Sequence, residues 1–135
     1  MKLLVFGSRD YSDWFMLDVV LHGLHKRWTQ AGGELELCQG EANGADIFAK
    51  HWAKRNAVRC SDFPADWDRL GDSAGHVRNL EMANVFQPTH GLGFISKDIS
   101  ESDGSRDMME ILESCGIEVR LVWSRPVCEP KGDWW

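Results

Sequence analysis

Positive charge, long apolar runs and paired cysteines are all scarce in this chain. Fifteen Lys and Arg face 21 Asp and Glu across 135 residues, for a net charge of −6 and a pI near 5.3. That balance argues against nucleic acid as a partner gripped through bulk charge, which needs a basic face. It leaves room for a small anion held by a few local donors. No stretch approaches the roughly 20 apolar residues of a membrane span. The apolar run Leu3–Phe6 is too short for a signal sequence, and Arg9 and Asp10 follow at once. No membrane association is therefore expected. Cys38, Cys60, Cys115 and Cys128 form no CxxC pair. They read as reduced and mostly buried, in a cytoplasmic protein. Neither they nor the five histidines show metal-ligand spacing, so no metal and no cofactor is expected. There is no internal repeat, low-complexity tract or linker. One domain is expected, and a hydrophobic content of 43% suffices for its core.

What is present is an alternation of elements. Lys2–Phe6 reads as a buried strand. Ser12 should cap the next helix, with Asp13 favoured by the helix dipole. Trp14, Leu17, Leu21, Leu24, Trp28 and Ala31 then recur at steps of three and four, which makes one apolar helix face ended by Gly32-Gly33. A second strand (Glu34–Cys38) precedes a helix with Ala45, Phe48, Ala49, Trp52 and Ala53 on one side. Trp14, Trp28 and Trp52 all read as core. A third strand (Val58–Phe63), a long polar loop, and a helix from about Ala74 to Phe86 follow. The fourth strand is His90–Ile95. Met108, Ile111, Leu112 and Cys115 mark the last helix, and Ile117–Val122 the fifth strand. Such alternation predicts an α/β fold, a three-layer sandwich with a mostly parallel sheet of about five strands and helices on both faces. Residues 1–122 form this domain, and 123–135 an irregular tail.

In such a sheet the strand-to-helix loops leave from the carboxyl edge, and ligands bind there. The stretch "LLVFGSRDYSDW" stops a buried strand in Gly7, Ser8 and Arg9. Gly7 would let a backbone approach a ligand, Ser8 would donate its hydroxyl, and Arg9 would stand as a cation; a plain turn with Arg9 paired to Asp10 or Asp13 explains the same residues. "GEANGAD" suggests a phosphate-cradling turn but has neither the Lys of a P-loop nor the GxGxxG spacing. Arg78 and Asn79 fall near a helix start, where arginine opposes the dipole. A ligand would explain it better than a pairing with Glu81. Trp67, in a polar loop, could stack on a planar ring or cover the core. His76 lies near this edge and reads as a surface residue.

Four blocks, "GSRDY", "GEANGADIFAKHWA", "FPADWDRLGDSAGHVRNLEM" and "DGSRDMMEIL", together resemble the YspA-like SLOG family from about Leu3 to Val122. Relatives in that superfamily include the LOG phosphoribohydrolases and the Smf-type DNA-processing proteins. The resemblance implies a Rossmann-like fold that binds nucleotides or nucleotide-derived ligands. It casts Gly7, Ser8, Arg9, Gly40, Gly44, Ala45, Asp46, Trp67, Gly75, Arg78, Asn79, Gly104 and Ser105 as ligand-binding residues. It also casts Asp107 as the carboxylate of an N-glycosidic hydrolase, with Arg78 orienting sugar and phosphate. One departure stands out: Glu101 and Ser102 occupy places where the family usually has glycine, with Asp98 and Asp103 beside them. Their side chains and charges would hinder a phosphate at that loop.

Three functions compete. The first is capture of a nucleotide-derived small molecule, such as an ADP-ribose derivative, by a sensor or sequestering protein. The second is a nucleoside 5′-monophosphate phosphoribohydrolase using Arg78 and Asp107. The third, single-stranded nucleic-acid binding, is opposed by the acidic charge. The tail tryptophans Trp123, Trp134 and Trp135 could support a homodimer or fold back on the domain.

Overall fold

The computed structural model describes residues 1–97, 99 and 102–125. Five strands form one sheet in the order β3-β2-β1-β4-β5, and every pairing is parallel. They are β1 (Lys2–Gly7), β2 (Glu36–Gln39), β3 (Arg59–Asp62), β4 (His90–Ile95) and β5 (Glu118–Trp123). The helices are α1 (Trp14–Gln30), α2 (Ala45–Arg55), α3 (Trp67–Leu70), α4 (Ala74–Glu81) and α5 (Asp103–Ser114). The result is the expected Rossmann-like sandwich.

Strand periodicity splits the core into two layers. Leu3 and Val5 face α1 and α2, where they pack with Leu17, Leu21, Ala49 and Trp52. Leu4 and Phe6 face the other way, onto Met82, Phe86, Met108 and Leu112. Helices therefore cover both faces of the sheet, as a parallel sheet requires.

The order reverses between β1 and β4, since the chain runs from β1 outward to β3 and then returns to β1's other side. That reversal opens a crevice above the carboxyl ends of those two strands.

Several local expectations need correction. Asp13, not Ser12, caps α1: its carboxylate accepts from Met16 N–H at 3.2 Å. The same carboxylate takes Arg125, which follows β5, and this pairing holds Asp13 well below the usual carboxylate range. Trp14, the first residue of α1, is 62% exposed rather than core. Trp28 is half-buried, Ala31 lies exposed beyond the helix end, and Trp52 is fully buried. Of the cysteines, Cys38 is buried, Cys60 half-buried and Cys115 exposed; all three are free, and Cys128 lies outside the described residues. The polar loop before α4 contains α3 and a short 3-10 turn, Gly71–Ser73. The helix expected to run to Phe86 changes to a π-helical turn over Met82–Phe86. Trp123 belongs to β5, paired with Ile95, and the rest of the tail from 126 lies outside the described residues. No helix among the described residues is long and apolar enough to cross a membrane.

Candidate functional site

The crevice between β1 and β4 opens into a cleft of about 800 Å³. Its walls come from four places: the turn after β1, the start of α2, the α3–α4 segment, and the segment from Ser96 into α5.

The first wall is built from backbone. Ser8 N–H donates to the Phe94 carbonyl at 3.0 Å, and Ser8 Oγ accepts from Ser96 N–H at 3.1 Å. These two bonds tie the β1 and β4 turns together. Gly7 is glycine because a Cβ there would stand 2.3 Å from the Phe94 oxygen and 2.6 Å from Ala45 Cβ. Gly44 has φ +82°, and its Cβ would fall 2.3 Å from the Ser8 oxygen. The turns after β1 and β2 thus touch main chain to main chain.

Asp46, in the first turn of α2, is only 5% exposed. Its Oδ2 accepts from Gly40 N–H at 3.2 Å and from Ala42 N–H at 3.3 Å. Glu41 N–H donates to Gln39 Oε1 at 2.6 Å. Three successive amides of the supposed phosphate cradle are therefore satisfied from within the protein. Burial pushes the Asp46 carboxyl up to about 6, opposed by Arg78 and by its two amide bonds.

Arg78 crosses the cleft floor. Its Nη1 donates to the Gly40 carbonyl at 2.6 Å, and its Nε to Asn79 Oδ1 at 2.9 Å. Gly40 makes room for that guanidinium, since a Cβ would sit 2.4 Å from Nη1. Glu81 is not its partner. Among the described residues Nη2 has no acceptor, so Arg78 keeps donors for a ligand. Arg9 makes no ion pair among the described residues either; its guanidinium lies over the Trp67 ring, 5.5 Å from the centroid. The alternative of Arg9 paired to Asp10 or Asp13 is overturned: Asp10 accepts from Ser96 Oγ at 2.6 Å, and Asp13 is taken by Arg125.

The second wall is built from side chains. Asn79, 3% exposed, donates to Asp107 Oδ2 at 3.0 Å and to the Gly104 carbonyl at 3.2 Å. His76 Nδ1 meets both Asp107 oxygens, at 2.8 and 2.9 Å. Gly104, Ser105 and Asp107 lie in the opening turns of α5 rather than in a loop. Ser105 is buried and bonded to Ser102 Oγ at 2.9 Å. Asp103 pairs with Arg106 at 3.0 Å, so part of the charge expected to repel a phosphate is compensated. Asp98 and Glu101 lie outside the described residues.

Of the residues singled out in the sequence, Gly7, Ser8, Arg9, Asp46, Trp67, Gly75, Arg78, Asn79, Gly104, Ser105 and Asp107 line this one cleft. Gly40, Gly44 and Ala45 do not line it; they stand behind the wall and set its shape. Asp10, Ser96 and Lys97 also line the cleft without having been expected among the ligand-binding residues, and so does His76, which read as a surface residue. Nothing local in the sequence signals the His76–Asp107 pair, whose members are 31 residues apart. The lining carries four Lys and Arg but six Asp and Glu, so the cleft is not a simple cation trough. Phe6, Met82 and Met108 add apolar surface among these charges.

With the glycine-bearing turns shown to converge at the β1/β4 reversal, comparison with known proteins becomes informative. Residues 1–70 match the YspA, cpYpsA-related SLOG family. The chain belongs to that family. The matched segment holds the first two turns and Trp67, and it stops before Arg78. The chain is also similar to the Gene 61 protein of Mycobacterium phage D29. The two are 28% identical over 133 residues, covering 93% of this chain and 98% of that protein.

Proposed function

We propose that this SLOG-family protein binds a nucleotide or nucleotide-derived small molecule, such as an ADP-ribose derivative, as a sensor or sequestering protein. The observation that carries this reading is the cleft itself: about 800 Å³ at the reversal of strand order, where α/β sheets take their ligands. Its chemistry is divided in a way that suits such a molecule. Arg9 and Arg78 offer charged donors for phosphate oxygens. Trp67, half exposed beneath Arg9, offers a flat apolar face for a base. Asp10 and Asp107 can accept from sugar hydroxyls. A mixed lining therefore favours a ligand with both anionic and hydroxylated parts over a bare polyanion.

Thermal shift against AMP, ADP, ADP-ribose and NAD tests this. A stabilising shift with at least one of them, lost in Arg78→Ala, is expected. The absence of a shift with all four would overturn it.

A second reading, hydrolysis of a nucleoside 5′-monophosphate at its N-glycosidic bond, is favoured by one specific contact chain. Asn79 joins Arg78 to Asp107 through hydrogen bonds at both ends of its amide. The two residues cast as catalytic are thereby linked in one arrangement. Release of free base, lost in Asp107→Ala, would establish that activity.

A further inference from the structure

His76 sits in the first turn of α4 and is 57% exposed at the mouth of the cleft. Its Nδ1 lies within hydrogen-bonding distance of both oxygens of Asp107. An ionised carboxylate only accepts, so Nδ1 carries the hydrogen, and in the neutral imidazole Nε2 keeps a lone pair. Among the described residues nothing bonds Nε2, and His76 lines the cleft. Asp107 is itself held, by the buried Asn79 amide, and Asn79 is held by Arg78 Nε and the Gly104 carbonyl. The sequence of contacts is a base, a carboxylate that orients it, and an amide that orients the carboxylate. That is the arrangement by which a neutral imidazole is fixed as a proton acceptor.

We propose that His76 is the general base of a hydrolytic site in this cleft, with Asp107 as its positioning residue and a nucleoside 5′-monophosphate as substrate. The proposal rests on the hydrolase reading and changes one assignment within it. Asp107 already accepts from His76 and Asn79, whereas Nε2 has no partner among the described residues, so the imidazole is the group placed to take a proton from water. In the step, His76 Nε2 takes a proton from a water molecule as the water oxygen bonds to C1′ of the ribose. The bond from C1′ to the base nitrogen breaks, and its electron pair stays on the base. The proton on Nε2 then passes to that nitrogen, which leaves a free base, ribose 5-phosphate and the neutral imidazole. Arg78 and Arg9 hold the phosphate and take no proton.

Base release from AMP, GMP, CMP and UMP would be followed chromatographically for the full chain and for His76→Gln, His76→Gly and Asp107→Asn. The expected result is turnover by the unaltered protein and a loss of kcat of about a hundredfold or more in His76→Gln, with KM little changed. Imidazole added to His76→Gly should restore part of the rate, which a merely structural role would not allow. Asp107→Asn should lower kcat and leave KM alone, because it no longer fixes the tautomer. Turnover by the unaltered protein with kcat retained in His76→Gln would overturn the assignment and leave the hydrolase reading standing. No base released from any of the four nucleotides would end the hydrolase reading and the assignment together.

Discussion

The two walls of the cleft are made differently. On the side of β1 and α2, main chain meets main chain: Gly44 lies against the Ser8 carbonyl, Gly7 against the Phe94 carbonyl, and the Asp46 carboxylate fills the turn behind them. On the side of α4 and α5, side chains meet side chains across open space, in the contacts of His76, Asp107 and Asn79. Backbone contact at van der Waals limits has no slack, so the first wall sets the shape of the cleft. Side-chain contact can be changed one group at a time, so the second wall can carry chemistry. The same residue type has opposite meanings on the two sides.

Gly44→Ala puts the largest strain on that comparison. The position has φ +82°, and the new Cβ would stand 2.3 Å from one backbone oxygen and 2.7 Å from another. Neither can move without parting the turns after β1 and β2. A stability loss of roughly 3–5 kcal/mol is expected, read as a fall in the urea midpoint with unchanged slope. A loss under 1 kcal/mol would mean that the first wall yields as readily as the second.

Asp46→Asn probes the same wall through pH. Burial raises the folded carboxyl from 3.8 to about 6. Between those values the unfolded chain has released its proton and the folded chain retains it. Stability therefore falls as pH rises from about 4 to about 6 and is level above that. The shift corresponds to a drop of about 2–3 kcal/mol. Asparagine can still accept from the Gly40 and Ala42 amides but does not titrate. Urea melts across that range should show the slope in the natural protein and its absence in Asp46→Asn. A matching slope in both would place the titration elsewhere.

Much of the frame was legible in the sequence because it follows from periodicity. Leu3 and Val5 alternate with Leu4 and Phe6, and the recurring βα units leave a parallel sheet as the natural outcome. Glycines after β1 and β2 pointed correctly to close approach. The approach is between Gly44 and the protein's own Ser8, however, and a single sequence cannot tell a carbonyl from a phosphate as the neighbour. Asp46, cast as a ligand-binding residue, fills the turn with its carboxylate, since side-chain direction depends on the fold. Trp14 fits the apolar helical stripe but stands at the first position of α1 and is exposed. His76 and Asp107 come together only through the packing of α4 on α5, which no local pattern records.

Gly104→Ala sharpens the contrast between walls with a change of opposite sign. A Cβ at Gly104 would meet nothing within 4 Å, and the residue sits in the first turn of α5. Alanine restricts the unfolded chain and suits a helix, so a gain of about 0.5–1 kcal/mol is expected in the same urea assay. A clear loss would show that the second wall, too, is packed to its limit.

The smallest effect belongs to His76→Ala. The imidazole is 57% exposed, and its partner Asp107 keeps the Asn79 hydrogen bond when it is removed. An exposed pair of this kind contributes little to folding, because water replaces each contact. The thermal midpoint should correspond to a stability change within about 0.5 kcal/mol. The near-zero cost is informative, since a residue that the fold does not need is one whose loss of turnover can be assigned to chemistry. A destabilisation above 1 kcal/mol would instead make His76 part of the frame, and the division of labour between the walls would fail at the residue where it was drawn most sharply.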